Sequence, residues 1–469
     1  MTLPLRAGVA RVQLPTPVGL PMMGYGARIG GATALHDPLF ARALYLAGRS
    51  DCLLVVLDLC LLAPVQARTL RERLAARTSV AFERIAVACT HTHSGPDTAL
   101  SEALNGRPTP DSVALLLDAA QRAGEEAVAS AAPARLGTGR TESRIGRNRR
   151  RANGPVDREV CILRVDRERG TPLAILYIHG CHPTALGHDN LAYSADWPGA
   201  ASRRIEAEMP GALAIFALGA HGDVDPRTRG LQDVALEGRS TGVGFAEMER
   251  LGDEIGTAVA HAAARITTEP VADIGGAARW IRLVAHPGAS SEAERRERLA
   301  ASRSAALRTL GLDPATRIRS QDLFQLAYDR TRTLPADERR VRVAQVRLDL
   351  RDRQGAWFAG GLAAEVEIQV LRLGPLWLLT LPFEPTVEVG LDWKRRVKAI
   401  RGGTPAGILA IANGWLRYLP HGRNFSDSNA NQSYEVLTST FQPDAAERLL
   451  AAGEELAFAM QKEISRTQG

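Results

Sequence analysis

The sequence predicts an α/β protein of layered mixed β-sheets with flanking helices. Three observations lead there: short apolar runs that stop abruptly at polar residues, helical apolar stripes between those runs, and no low-complexity tract in the chain. The runs are CLLVVLDLC from Cys52, RIAVACTHTHS from Arg84, PLAILYIHGCHP from Pro172, GALAIFALGAHGDVDP from Gly211 and GILAIANGWLRY from Gly407. Stretches of Val, Ile, Leu and Ala bounded by Gly, Pro and polar groups read as strands buried on both faces.

Helical patterns separate them. Met248, Leu251, Ile255 and Val259 recur at helical spacing, and a second stripe begins after Pro443 and Asp444 and runs towards the C-terminus. The segment 290–338, rich in Arg, Glu, Ser and Ala, reads as solvent-facing helices or a lid-like insertion. Beyond it, RRVRVAQVRLDLRD, AEVEIQVLRLG and PLWLLTLPFEP alternate well enough for strands, with Gly374–Pro375 as the turn between the last two. No internal repeat or Gly/Ser-rich linker divides residues 1–469, so one catalytic domain is expected.

With 45% hydrophobic and 23% charged residues, the composition is that of a soluble globular protein. The net charge of +6 is spread as arginines in company with Asp and Glu. Only residues 144–151 form a basic cluster, and no aromatics are interleaved there for stacking, so it reads as a solvated or substrate-facing surface and not a nucleic-acid site. Five cysteines, with no CxxC pair, sit mostly in strand-like runs and read as buried thiols. The N-terminus has no signal-like apolar region, and the longest apolar run, CLLVVLDLCLLAP, is too short to span a bilayer and carries Asp58. A cytoplasmic enzyme without a transmembrane segment is expected.

Metal-ligand residue types collect at the strand ends, where loops of α/β sheets converge. In THTHSGP, His91 and His93 are two apart, so strand alternation sends both imidazoles into one site, one on a metal and one beside it or on substrate. YIHGCHPTALGHD offers His179, His182 and His188, although a strand histidine is more often a hydrogen-bonded core residue. In GAHGDVDP, Gly222 permits a tight turn, and Asp223 and Asp225 stand beside His221, either as orienting, metal-binding or basic carboxylates or as a structural Asp–Pro turn. Glu384 leaves an apolar strand between Phe383 and Pro385, where burial requires a metal or an Arg. Asn413, Tyr418 and His421 follow the last apolar run, a place where a Tyr commonly serves packing.

In this order, the segments resemble the neutral/alkaline ceramidase family. The opening RAGVARVQLPTPVGLPMMGYGAR and HDPLFARALYL, then THTHSGP, GRNRR, VDREVCILRVD, CHPTAL, GDVDP, LPFEP and SYEVLTSTFQP, run from the N-terminus nearly to the end. The resemblance implies a catalytic Zn2+ held by His91, His182, Glu384 and Tyr418, with His93 beside the metal and Arg149 near the substrate. The chain departs from the family at Asp225, where ceramidases carry a serine within GDVSP. It also stops where the family's C-terminal immunoglobulin-like domain would begin. The resemblance therefore implies a zinc-dependent hydrolase of a linear amide, an N-acyl amide or related small molecule that could be lipid-like and is not necessarily ceramide. Asp225 or His93 would shuttle the proton, and Arg149 or His93 would stabilise the oxyanion. Two alternatives stand beside it: an ester or lactone hydrolase on the same site, and a non-catalytic binding protein on the same fold.

Overall fold

The uninterrupted apolar runs become strands because both of their faces are covered. In this computed structural model, which describes all residues except 1–3, 26–27, 101–102, 104–108, 152, 230–241, 271–272, 287, 289, 427–433, 469 and most of 319–360, two mixed sheets lie face to face. Strands β1 (Arg6–Gln13), β2 (Phe40–Ala47), β3 (Asp51–Leu57), β4 (Ile85–Cys89), β5 (Ala132–Glu142), β6 (Glu159–Arg167), β7 (Pro172–His179) and β8 (Leu213–Leu218) form the larger sheet. Their order is β8-β7-β6-β5-β1-β2-β3-β4. Strands β9 (Ile274–Val284), β10 (Ala363–Leu373), β11 (Leu376–Leu381) and β12 (Ala406–Ala410) form the smaller sheet in sequence order.

Side-chain alternation sorts each strand between two cores. Leu54 and Val56 of β3 meet Leu371, Leu373, Leu376 and Leu378 of the smaller sheet in the core between the sheets. The intervening Leu53 and Val55 face outward, onto Gly124 of a covering helix. Those helices are α1 (Pro64–Thr78) and α2 (Asp111–Ala129) on one half of the larger sheet, and α3 (Asp196–Glu208) and α4 (Phe245–Ala264) on the other. The stripe Met248, Leu251, Ile255 and Val259 is the buried face of α4, as the spacing requires. After α5 (Glu292–Thr309) come α6 (Val387–Ile400) and α7 (Ala445–Gln468), which cover the smaller sheet with Trp393, Leu449 and Leu450 against Trp377 and Leu379. The result is a helix–sheet–sheet–helix arrangement.

Parallel neighbours need a crossover, and three parallel pairs here have a helical one: β3-α1-β4, β7-α3-β8 and β11-α6-β12. An isolated bridge between Ala88 and Ala412 joins the ends of β4 and β12, so the carboxyl ends of these units are drawn together. Asp58, the charge within the longest apolar run, is accommodated just past β3, where it accepts from Arg42 at 2.6 Å and from the Phe40 amide at 2.9 Å. All five cysteines are buried and free, and among the described residues no helix is long and apolar enough to cross a membrane.

One expectation is corrected. Among the described residues of the stretch 339–352, Arg342 and Val346 are helical where alternation predicts a strand, in register with the helical Glu338 before them. They stand four apart, Arg342 pairs with Glu338 at 2.6 Å, and Val346 is buried with Ala306, Leu307 and Leu310 of α5 and its C-terminal end. An i, i+4 register that buries one side chain and pairs two charges outweighs the period of two. Within 290–338 the chain forms helix α5, and the rest of the segment read as an insertion or lid falls largely outside the described residues.

Arg71 of α1 clamps the two sheets together. Its guanidinium donates to both carboxylate oxygens of the buried Glu367 on β10 and to the carbonyls of Ile85 and Phe82. Arg71→Leu leaves Glu367 buried without its partner and is expected to cost about 3–5 kcal/mol, read as a lower urea midpoint. Arg71→Leu combined with Glu367→Leu should recover most of that loss, and a double variant as weak as the single would refute this account of the clamp.

Candidate metal centre

Each of the three β-α-β units delivers side chains from both of its carboxyl ends. The chain leaves β4 at Cys89 and turns at His91, whose φ of 68° is left-handed, a conformation that costs a non-glycine residue of order 1–3 kcal/mol. The turn is held from the β3-α1 loop: the His91 amide donates to the Leu59 carbonyl at 2.9 Å, and its ring Nδ1 lies 2.7 Å from the Cys60 carbonyl. Nε2 then points inward, 3.4 Å from Oε2 of Glu384. His93 reaches the same place, with its Nε2 3.3 Å from that of His91. The two histidines share a site as expected, by a left-handed turn and not by strand alternation.

His182, beyond β7, sets its Nδ1 3.2 Å from the Val224 carbonyl and its Nε2 3.1 Å from the same Oε2 of Glu384. His221, beyond β8, sets Nδ1 2.9 Å from the Gly219 carbonyl and Nε2 3.8 Å from that oxygen. Glu384 follows β11, and its backbone pairs in parallel with Tyr418 from beyond β12. Its second oxygen accepts from Trp415 Nε1 at 2.9 Å. Gly222 is needed here for proximity, since a Cβ would lie 2.6 Å from the Glu384 carbonyl, and its amide donates to the Pro385 carbonyl at 2.7 Å. The tight turn expected of Gly222 is thus a close approach of two chain segments.

His91, His182, His221 and Glu384 are each at most 2% exposed. Burial alone would raise the Glu384 carboxyl, but the His91 and His182 imidazoles hold it well below the usual carboxylate range. Burial, with like charge at His91 and His182, pushes His93 well below the usual imidazole range, so its ring is neutral. No arginine forms an ion pair with Glu384 among the described residues. The alternative of an Arg partner is therefore replaced by three imidazoles.

Arg149 is 6% exposed and organises the flank of the centre. It donates from Nε to Glu435 at 2.7 Å, from Nη1 to Asp225 at 3.2 Å and from Nη2 to the Tyr418 hydroxyl at 3.1 Å. The basic cluster thus has an interior part: Arg150, with a side chain 6% exposed, is turned inward as well. Asp225 Oδ1 also lies 3.5 Å from His182 Nδ1. Burial would raise the Asp225 carboxyl, yet Arg149, Arg229 and His182 bring it below its ordinary value. Burial raises the Tyr418 hydroxyl well above its ordinary value, against the charge of Arg149.

Several candidates serve structure. Asp223 accepts from the Val387 amide at 2.8 Å, at the start of α6, and from Asn148 at 3.0 Å. Asn413 accepts from the Val87 amide at 3.0 Å and donates to Gln369 at 2.8 Å, tying β12 to β4. His421 lies between Asp392 and Glu447, and His179 lies beside a small cavity with Asp157, Glu159 and Lys394. His188 stands apart from the clustered ligand atoms. The sequence presents His221 only as a neighbour of two carboxylates. The resemblance singles out His182, while the local signal, a histidine a few residues past a buried strand, applies to His221 equally.

The donor set fits a divalent metal. One ligand atom from each of His91, His182, His221 and Glu384 lies within 4.8 Å of the others, and imidazole nitrogen with carboxylate oxygen suits a borderline ion such as zinc. Each ring directs Nδ1 to a backbone carbonyl, the outer contact that fixes tautomer and orientation in metal-binding histidines.

The family model described as neutral/alkaline non-lysosomal ceramidase, N-terminal, matches residues 7–242, half of the 469-residue chain. A curated neutral ceramidase of Mycobacterium tuberculosis is 24% identical over 492 residues, an alignment that covers 94% of this chain and 74% of that protein. Two solved structures share the fold, one described as ceramidase complexed with C2 and one as neutral ceramidase from Pseudomonas aeruginosa. Each superposes with a TM-score of 0.71 at 21% identity, over 98% of this chain and 76% and 75% of theirs, respectively. With half its length matched by the family model and its fold shared with these structures, the chain belongs to the neutral/alkaline non-lysosomal ceramidase family.

Proposed function

We propose that this protein is a zinc-dependent hydrolase of a linear amide bond in an N-acyl amide or related lipid-like small molecule. The observation that carries the reading is the convergence of three imidazole Nε2 atoms on a single carboxylate oxygen, buried at the carboxyl ends of three β-α-β units. His91, His182, Glu384 and, by family resemblance, Tyr418 would hold the metal. When bound there, a zinc ion supplies Lewis acidity to a water and to the amide carbonyl near neutral pH.

The remaining work falls to the chain. His93 is the least buried of the four histidines, its backbone carbonyl accepts from Arg28 at 2.7 Å, and its ring meets the edge of Tyr25 at 4.7 Å. Neutral and fixed, with Nδ1 lacking a hydrogen-bond partner among the described residues, it can take a proton from the attacking water and pass it to the departing nitrogen as the C–N bond breaks. Arg149, beside Tyr418, is the donor for the carbonyl oxygen as charge develops on it. Asp225, held ionised by its neighbours, positions His182 and Arg149.

The dialysed protein is expected to carry about one zinc per chain, and the variant His91→Ala/Glu384→Ala to carry none, by elemental analysis. Chelator-sensitive release of amine from N-acyl amides, followed by mass spectrometry beside ester analogues of the same acyl chain, tests the reaction. A metal-free wild type, or release indifferent to chelation, would sink the proposal.

Asp225→Asn should retain the metal and lower turnover by about 10–100-fold, the usual cost of losing an outer contact to a ligand. His93→Ala should lower it further. Unchanged turnover in Asp225→Asn would remove this carboxylate from the positioning role.

A further inference from the structure

The His221 ring is fully buried, and its Nε2 has no hydrogen-bond partner among the described residues. Its other nitrogen faces the Gly219 carbonyl at 2.9 Å. A carbonyl only accepts, so Nδ1 carries the proton and Nε2 presents a lone pair. That lone pair is aimed at Glu384 Oε2, 3.8 Å away, with the ring 4.5 Å from that of His182 and 5.2 Å from that of His91. The same reasoning applies to the other two rings, whose Nδ1 atoms face the carbonyls of Val224 and Cys60. Three lone pairs and an anionic oxygen therefore meet in one buried space. A single proton can bridge Glu384 to one of these nitrogens, but it cannot serve all three, and a buried acceptor left unpaired costs about 1–3 kcal/mol. A cation placed among them satisfies all four at once.

We infer that His221 is itself a ligand, so that three imidazoles and one carboxylate of this chain hold the metal. The inference rests on the reading of the centre as a metal site and adds to the set implied by family resemblance, which has Tyr418 and not His221. It also changes the electrostatics. With His221 in place, four protein donors are present while Glu384 is the sole anion among them, and the Tyr418 hydroxyl can keep its proton and its bond from Arg149.

Co2+ is the probe, because its visible absorption reports ligand number and type. The metal-stripped wild type, His221→Gln and His221→Ala are titrated with Co2+, following the visible band, the dissociation constant and the Tm of each protein with and without metal. We expect His221→Gln to bind Co2+ at least tenfold more weakly with a shifted band, and to lose most of the metal-induced rise in Tm. Its metal-free Tm should be unchanged or higher, because an unpaired buried nitrogen has been removed. Added imidazole should restore the band in His221→Ala by filling the vacated space, which keeps the test valid if the Gln variant folds poorly. A wild-type band and affinity in His221→Gln would overturn the inference and leave the proposed function standing. Failure of the wild type to take up Co2+ would overturn both.

Discussion

A carboxylate buried away from water must be offset by a neighbouring cation, and Glu384 is such a carboxylate. It is 2% exposed, sits at the end of a strand that is buried throughout, and has no guanidinium or ammonium paired with it among the described residues. Its surroundings answer that demand with three imidazole nitrogens, which serve the carboxylate when they, or a cation among them, carry positive charge. The constraint runs outward from there. The rings must face one oxygen, so their far nitrogens are tied to the Cys60 carbonyl after β3 and to the Gly219 and Val224 carbonyls after β8, and these loops must meet, so the sheets must bring their strand ends together.

Three crossover units provide that meeting. Parallel pairs place both carboxyl ends on one side, and each helical return carries the chain back to begin the next strand. β3-α1-β4 brings the Cys60 carbonyl and His91, β7-α3-β8 brings His182 and His221, and β11-α6-β12 brings Glu384 and Tyr418. The larger sheet could not do this alone, since Glu384 and Tyr418 follow strands of the smaller one. The contacts between sheets, with Asn413 bonded to the Val87 amide and Gln369 and Gly222 pressed against the Glu384 backbone, therefore hold the site as much as the fold.

The sequence makes residue type and strand end legible, and these are enough to bring out His91, His93 and Glu384, whereas His182 stands beside His179 and His188 until the family resemblance singles it out. An apolar run stopping at a His or Glu is a local pattern, because burial sets the run and the loop beyond it is where the sheet ends. What stays hidden depends on contacts distant in sequence. His221 looks like the partner of two adjacent carboxylates until Glu384, more than a hundred residues on, is placed against it. Asp223 looks equally catalytic until the first amide of α6 is found on it. The left-handed turn at His91 follows from the carbonyls of Leu59 and Cys60 and not from its neighbours in sequence. Glu338, Arg342 and Val346 are helical because α5 offers a surface for Val346, a choice that alternating Arg and Val do not reveal.

Asp225 is where the chain departs from the ceramidase pattern, and its neighbours explain how a carboxylate is tolerated in place of a hydroxyl. Arg149 already carries Glu435, and a second carboxylate on Nη1 leaves its Nη2 for Tyr418. The guanidinium is thereby fixed by two anions, with only one of its arms turned to the phenol. A serine there would leave Arg149 with one anion and more freedom to reach a substrate oxygen, whereas the aspartate converts it into a rigid support. Nor can the aspartate act far from this frame, because Oδ1 is shared between Arg149 and the back of His182. The same carboxylate that fixes these two groups places negative charge beside the centre.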